Sequence, residues 1–155
     1  MYASRAGKIE CVKFLLQENR SIPNHKDRKG YNAIHYAAEH GHFEIVKLLV
    51  EKGGIKLDLP GPERKTSMHI AAAKGDFQMV DNLLKLGGKT IHKDKFKRTA
   101  LLLAAKNGNL KVASLLLSRG APFEEPDSSG NSPLHYACAY GYPEMIDLLI
   151  QAGAN

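Results

Sequence analysis

Apolar and polar positions alternate along this chain with a helical period that breaks at regular intervals. In the stretch 127–155 a turn-forming cluster, Asp127-Ser128-Ser129-Gly130-Asn131, comes first. Ser132 and Pro133 follow, a hydroxyl residue and a proline suited to a helix N-cap and first helical position. Leu134, Ala137 and Cys138 give that helix a short apolar face, and Gly141 ends it. Pro143 opens a second helix whose broad apolar face is Met145, Ile146, Leu148, Leu149 and Ile150, and Gly153-Ala154 closes it. Helices below roughly a dozen residues are marginal alone in water. The stretch therefore requires copies of itself to pack against.

The copies lie upstream. Gly141 is preceded by Gly108, Gly75, Gly41 and Gly7, at steps of 33, 33, 34 and 34. Helix starts recur as Asn32-Ala33-Ile34-His35, Thr66-Ser67-Met68-His69, Thr99-Ala100-Leu101-Leu102 and Ser132-Pro133-Leu134-His135. Small pairs follow each start: Ala37-Ala38, Ala71-Ala72, Ala104-Ala105 and Ala137-Cys138. Helices are expected at 9–18, 33–40, 43–52, 67–74 and 77–86, with equivalents downstream. The small pairs let first helices approach closely, and the leucine rows of the second helices bury against their neighbours, so one core runs through the stack.

A period near 33 residues, with a turn and two helices, is the sequence sign of ankyrin repeats. The chain resembles that family over essentially its whole length. The resemblance implies an all-α solenoid of stacked helix-turn-helix units with β-turn or hairpin fingers. It divides the chain into a partial repeat at 1–24 and repeats at about 25–58, 59–92, 93–125 and 126–155, together one domain. The leading unit lacks a turn and a helix start, and the last unit keeps an internal apolar pattern. A segment of a longer array is expected.

Several positions depart from the template. The connection 54–65 is one residue longer and contains Pro60-Gly61-Pro62, which predicts an irregular, well-exposed loop. Arg64 and Lys97 stand where other turns have Gly30 and Gly130; if those positions need a positive φ, each costs on the order of 1 kcal/mol. Leu102 replaces the recurring histidine, and Asn82 replaces an apolar residue found as Phe14, Leu48, Leu115 and Leu148. Weaker packing is expected in the middle of the array.

Charge changes the picture more than composition does. The net charge is +6, but all 22 lysines and arginines precede residue 120, while Glu124, Glu125, Asp127, Glu144 and Asp147 follow it. The basic residues concentrate on successive turn tips, which stacking would align. Cys11 and Cys138 fall on apolar template positions and are expected as buried free thiols in a reducing compartment. An intracellular, cytoplasmic location follows, with the nucleus as second choice. No apolar run approaches transmembrane length.

Catalysis needs a nucleophile, base or metal set converging on a pocket, and no such set is evident. His35, His69 and His135 recur just inside helix starts, where the family resemblance implies a structural role tying turn to helix. His42 occupies the family's Gly-His slot and is read the same way. No histidine pairs with cysteine at a zinc-ligand spacing. The expectation is a non-enzyme with no catalytic residues, no metal and no cofactor.

What remains is surface. The resemblance implies a protein-interaction scaffold that docks a partner on a concave face of turn tips and first helices. Carried onto this sequence, the contact positions are Arg28, Lys29, Tyr31 and His40, then Lys65, Lys74, Lys95, Phe96, Arg98 and Lys106, then Asn131 and Tyr140. Aromatic and arginine side chains are the commonest interface anchors. The basic tips favour a protein or peptide partner of acidic character. Two alternatives stand beside this: nucleic-acid or anionic-membrane binding by the basic tips, and a structural spacer with no partner. Acidic residues within the stripe and the lack of a nucleic-acid motif weigh against nucleic acid. A monomer is expected, with end-to-end pairing of apolar ends as the alternative.

Overall fold

The structure, a computed structural model, describes residues 1–18 and 24–154. The last part of the leading partial repeat, 19–23, and Asn155 lie outside the described residues. Among the described residues the chain forms ten α-helices and no strand. They come in five pairs: α1 (Tyr2–Arg5) with α2 (Ile9–Gln17), α3 (Ala33–Glu39) with α4 (Phe43–Glu51), and α5 (Ser67–Lys74) with α6 (Phe77–Lys85). The last two are α7 (Ala100–Lys106) with α8 (Leu110–Ser118), and α9 (Pro133–Tyr140) with α10 (Pro143–Gln151).

Stacking follows from side-chain size. The first helices form one row, α1 on α3, α3 on α5, α5 on α7 and α7 on α9. Ala37, Ala38, Ala71, Ala72, Ala104, Ala105 and Ala137 are wholly buried in that row, and only small side chains allow backbones so close. The second helices bring the bulk: Ile45, Val46 and Leu49 on α4, Met79, Val80 and Leu83 on α6, Val112 and Leu116 on α8, Met145 and Leu149 on α10. The core is thus a strip in which each pair supplies half of an interface.

The corner between paired helices is fixed by its neighbour. Gly75 ends α5 at φ 77°, and a Cβ there would meet the Asn109 side chain at 2.6 Å. The Asn109 amide reaches that spot to donate to the carbonyls of Ala72 and Ala73, at 2.9 and 3.1 Å. His42 acts the same way two interfaces earlier, with Nε2 3.2 Å from the Arg5 carbonyl oxygen. The residue opening each of these second helices pins the preceding corner, so His42 is structural.

Two sequence expectations are corrected here. The connection 54–65 is irregular but not well exposed. Ile55 is buried, Leu57 and Leu59 pack against the core, and Pro62–Arg64 forms a single 3-10 turn. Its apolar alternation, not its prolines, decides its position. Cys11 and Cys138 are both exposed, against the expected burial. Their template equivalents, Ile45 and Met79 for Cys11 and Ala72 and Ala105 for Cys138, are buried. Burial there comes from the next pair along, and among the described residues no pair lies on the outer side of α2 or α9.

The middle of the stack is not loosened at Leu102, which is wholly buried. Asn82 is half-buried and its side chain takes a long, 3.5 Å hydrogen bond from Gln78.

Candidate functional site

Four fingers precede the capped helices: 27–31, 61–65, 94–98 and 127–131. A backbone bond joins the two ends of each, Asp27 N–H to Tyr31 O (2.8 Å), Gly61 to Lys65 (2.8 Å), Asp94 to Arg98 (3.0 Å) and Asp127 to Asn131 (3.0 Å), and a second tightens the turn, as Gly30 N–H does on the Asp27 carbonyl. Three of them are built on an aspartate. Asp27 Oδ1 accepts the N–H groups of Lys29 and Tyr31, Asp94 Oδ1 those of Phe96 and Arg98, and Asp127 Oδ1 those of Ser129 and Asn131. The remaining carboxylate oxygen takes Tyr36 OH at 2.6 Å, the Arg98 guanidinium at 2.6 Å, and Tyr136 OH at 2.7 Å, respectively.

These bonds shift titration. The Tyr36 hydroxyl and the backbone donors hold the Asp27 carboxyl below its ordinary range. In return, the Asp27 carboxylate pushes the Tyr36 phenol up to about 12. At Asp127 burial works upward, yet Tyr136 and the backbone donors outweigh it and keep the carboxyl low.

The aspartate series was missed in the sequence, although residues 27, 94 and 127 carry the signal at template spacing. Gly61 interrupts it for a steric reason: a Cβ at 61 would meet the His35 imidazole at 2.8 Å.

Histidines tie fingers to helices. His35 Nδ1 accepts the Asn32 N–H at 3.1 Å, so its proton sits on Nε2, which donates to the Leu59 carbonyl at 2.9 Å. His69 repeats this with Thr66 N–H at 3.2 Å and the Arg98 carbonyl at 3.0 Å. Burial, the largest cause, depresses the pKa of both rings. His135 caps α9 through Ser132 but is exposed. Leu102 offers no such bond, and finger 127–131 is instead joined to its neighbour by Ser128 N–H on the Phe96 carbonyl, 2.9 Å. Lys95 N–H on the Glu63 carbonyl, 2.6 Å, joins the preceding two fingers.

The predicted contact residues fall into three groups. Tyr31, His40, Lys65, Lys74 and Arg98 line one groove of about 580 Å³, floored by Ile70, Ala73 and Leu103. Lys95 and Phe96 sit on the adjoining finger, where the Arg98 guanidinium lies 4.6 Å from the Phe96 ring centroid and the Lys95 ammonium 6.0 Å. A second cluster gathers around Tyr136: Lys106 lies 4.8 Å from its ring centroid, and Tyr140 stacks alongside at 6.1 Å, near Asn131 on the same finger-helix unit. Arg28 and Lys29 stay apart at the exposed tip of the first finger.

Their availability differs. Arg98 is bound to Asp94, and Lys65 to Glu63 at 2.6 Å. Lys74 donates to the backbone carbonyl of Glu39 at 2.6 Å and faces no carboxylate partner among the described residues. Tyr140 is half-exposed although it stacks on both Tyr136 and Tyr142. Tyr136 and the floor residues Ile70 and Leu103 were not named from the sequence. Their template position, shared with Tyr36, looks like an ordinary helix interior until the fold turns it toward the groove.

Fold and comparison agree on the class. A family model described as ankyrin repeats (3 copies) matches residues 1–94 and 68–155. The chain belongs to the ankyrin-repeat family. Ankyrin repeats generally mediate protein–protein interaction.

Among characterised proteins it is similar to an ankyrin repeat and KH domain-containing protein of Caenorhabditis briggsae. The two are 41% identical over 56 residues, 36% of this chain and 2% of that protein. It is also similar to protein phosphatase 1 regulatory subunit 27 of Homo sapiens and of Mus musculus. Each of those is 44% identical over 41 residues, 26% of this chain and 27% of the relative. The matches thus cover well under two thirds of any of these relatives. No helix among the described residues is long and apolar enough to cross a membrane.

Proposed function

We propose that the chain is a non-catalytic docking domain that holds a partner protein on the face made by its fingers and first helices. The observation that carries this reading is the groove of about 580 Å³, where unneutralised Lys74 and half-shared cations stand over an aliphatic floor. Such a surface combines charge for steering with apolar area for retention. The Tyr136–Tyr140 stack beside it supplies the aromatic type that anchors interfaces.

A catalytic reading has less to work with. His35 and His69 commit both ring nitrogens to backbone bonds, which removes them as proton shuttles. The phosphatase relatives are regulatory subunits by name, a role that fits binding without chemistry. Exposed, unpaired Cys11 and Cys138 fit a reducing, intracellular setting.

A pull-down from cell lysate tests the proposal. It compares the native domain with Lys74→Glu/Tyr140→Ala and with a control, Lys47→Glu/Lys111→Glu, on the second helices. A partner retained by the native and control domains at moderate salt, and lost from the first variant, is the expected result. Loss from the control alone would place docking on the opposite side. Recovery of nucleic acid that vanishes with salt would replace the reading altogether.

A further inference from the structure

Among the described residues, three non-glycine residues hold a left-handed backbone: Glu63 at φ 52°, Arg64 at φ 59° and Lys97 at φ 60°. All three belong to the two fingers, 61–65 and 94–98, that contribute Lys65 and Arg98 to the groove. At the position of Arg64 and Lys97, the outer fingers carry Gly30 and Gly130, at φ 84° and 83°. Glycine holds that conformation without a steric penalty, whereas a side chain is strained there.

The turn bonds of each finger, Arg64 N–H on the Gly61 carbonyl and Lys97 N–H on the Asp94 carbonyl, hold this backbone in place, but no internal contact accounts for a side chain at Arg64 or Lys97. Arg64 and Lys97 are exposed, and neither side chain makes a hydrogen bond, ion pair or ring contact among the described residues. Glu63 differs, since it binds Lys65 at 2.6 Å. A side chain that costs strain where glycine would not, and that touches nothing inside the chain, points to a contact made outside it.

Resting on the docking reading above, we infer that this groove takes an acidic segment of a partner protein, and that Arg64 and Lys97, next in the chain to the groove residues Lys65 and Arg98, bind the partner's carboxylates. Lys74 supplies a third cation within the groove. Between these charges the floor of Ile70, Ala73 and Leu103 accepts aliphatic side chains. The segment therefore interleaves acids with aliphatic residues. The same floor disfavours nucleic acid. Being aliphatic, it offers bases no stacking platform.

The test is a random-peptide library selected on the native domain, followed by fluorescence anisotropy with the best selected peptide. The native domain selects peptides rich in Asp and Glu next to aliphatic residues. Arg64→Gly/Lys97→Gly folds with a higher urea midpoint and binds the selected peptide on the order of tenfold more weakly. Lys47→Gln/Lys111→Gln, which removes the same charge from the second helices, leaves affinity unchanged. Selected peptides without acid enrichment, or equal affinity for the glycine variant, would overturn the inference while leaving the docking reading standing. Equal weakening by the control variant would also overturn it, since net charge alone would then explain binding. If the library yields no binder, both this inference and the docking reading fail.

Discussion

His35 and His69 each spend both ring nitrogens on backbone partners, one within the helix cap and one in the following repeat, at Leu59 just before finger 61–65 and at Arg98 in finger 94–98. Protonating Nδ1 removes the acceptor that the cap requires, so each ring must stay neutral for the bonds to hold. Both folded pKa values lie below the ordinary 6.5, and the unfolded chain therefore takes up protons first as pH falls. Their contribution is complete above pH 6.5 and is lost progressively below it. Urea midpoints should decline from about pH 7 toward about pH 5, and His69→Gln should reduce that slope. A flat midpoint over this window would contradict the neutral-ring account. Asp27 and Asp127 act in a separate window. Their stabilisation is present above the ordinary 3.8 and is lost as pH falls through their lower folded values.

Each of the three aspartate fingers is a closed unit organised around one carboxylate. Asp94 receives two backbone N–H groups and the Arg98 guanidinium while almost fully buried. Asp94→Ala strips those donors of their acceptor and should cost about 1–3 kcal/mol in urea unfolding, with faster amide exchange at 94–98. A change under about 0.5 kcal/mol would show that the finger is held by its backbone bonds alone.

The helices and their starts were legible in the sequence because a cap residue, a small pair and a corner glycine recur at a fixed step. The left-handed turn at Arg64 and Lys97 was legible too, since glycine occupies the same slot at residues 30 and 130. The exposure of Cys11 and Cys138 was not, because burial at those positions belongs to the neighbouring pair and not to the residue's own pattern. Nor was the packing of 54–65, where Pro60-Gly61-Pro62 signals an open loop but Ile55, Leu57 and Leu59 hold it to the core. The groove floor was hidden for a third reason. Tyr36, Ile70, Leu103 and Tyr136 share one register without sharing a chemical character.

Across the whole molecule the limiting dimension is the spacing of the first helices. Ala71 and Ala104 are wholly buried between neighbours, so Ala104→Leu forces α7 away from the row and should destabilise by about 1–3 kcal/mol. Amide exchange should rise in α5 and α9 together, because each pair relies on both of its flanks. A change confined to α7 would argue against a shared core. The same row presents the groove, and the central claim is that a partner lies along it.

Hydrogen exchange of the domain, free and saturated with its captured partner, tests that claim most directly. The account predicts protection at fingers 61–65 and 94–98 and along α5 and α7, with α6, α8 and α10 unchanged. Protection concentrated on α6, α8 and α10 would contradict it and move the docking site to the opposite face.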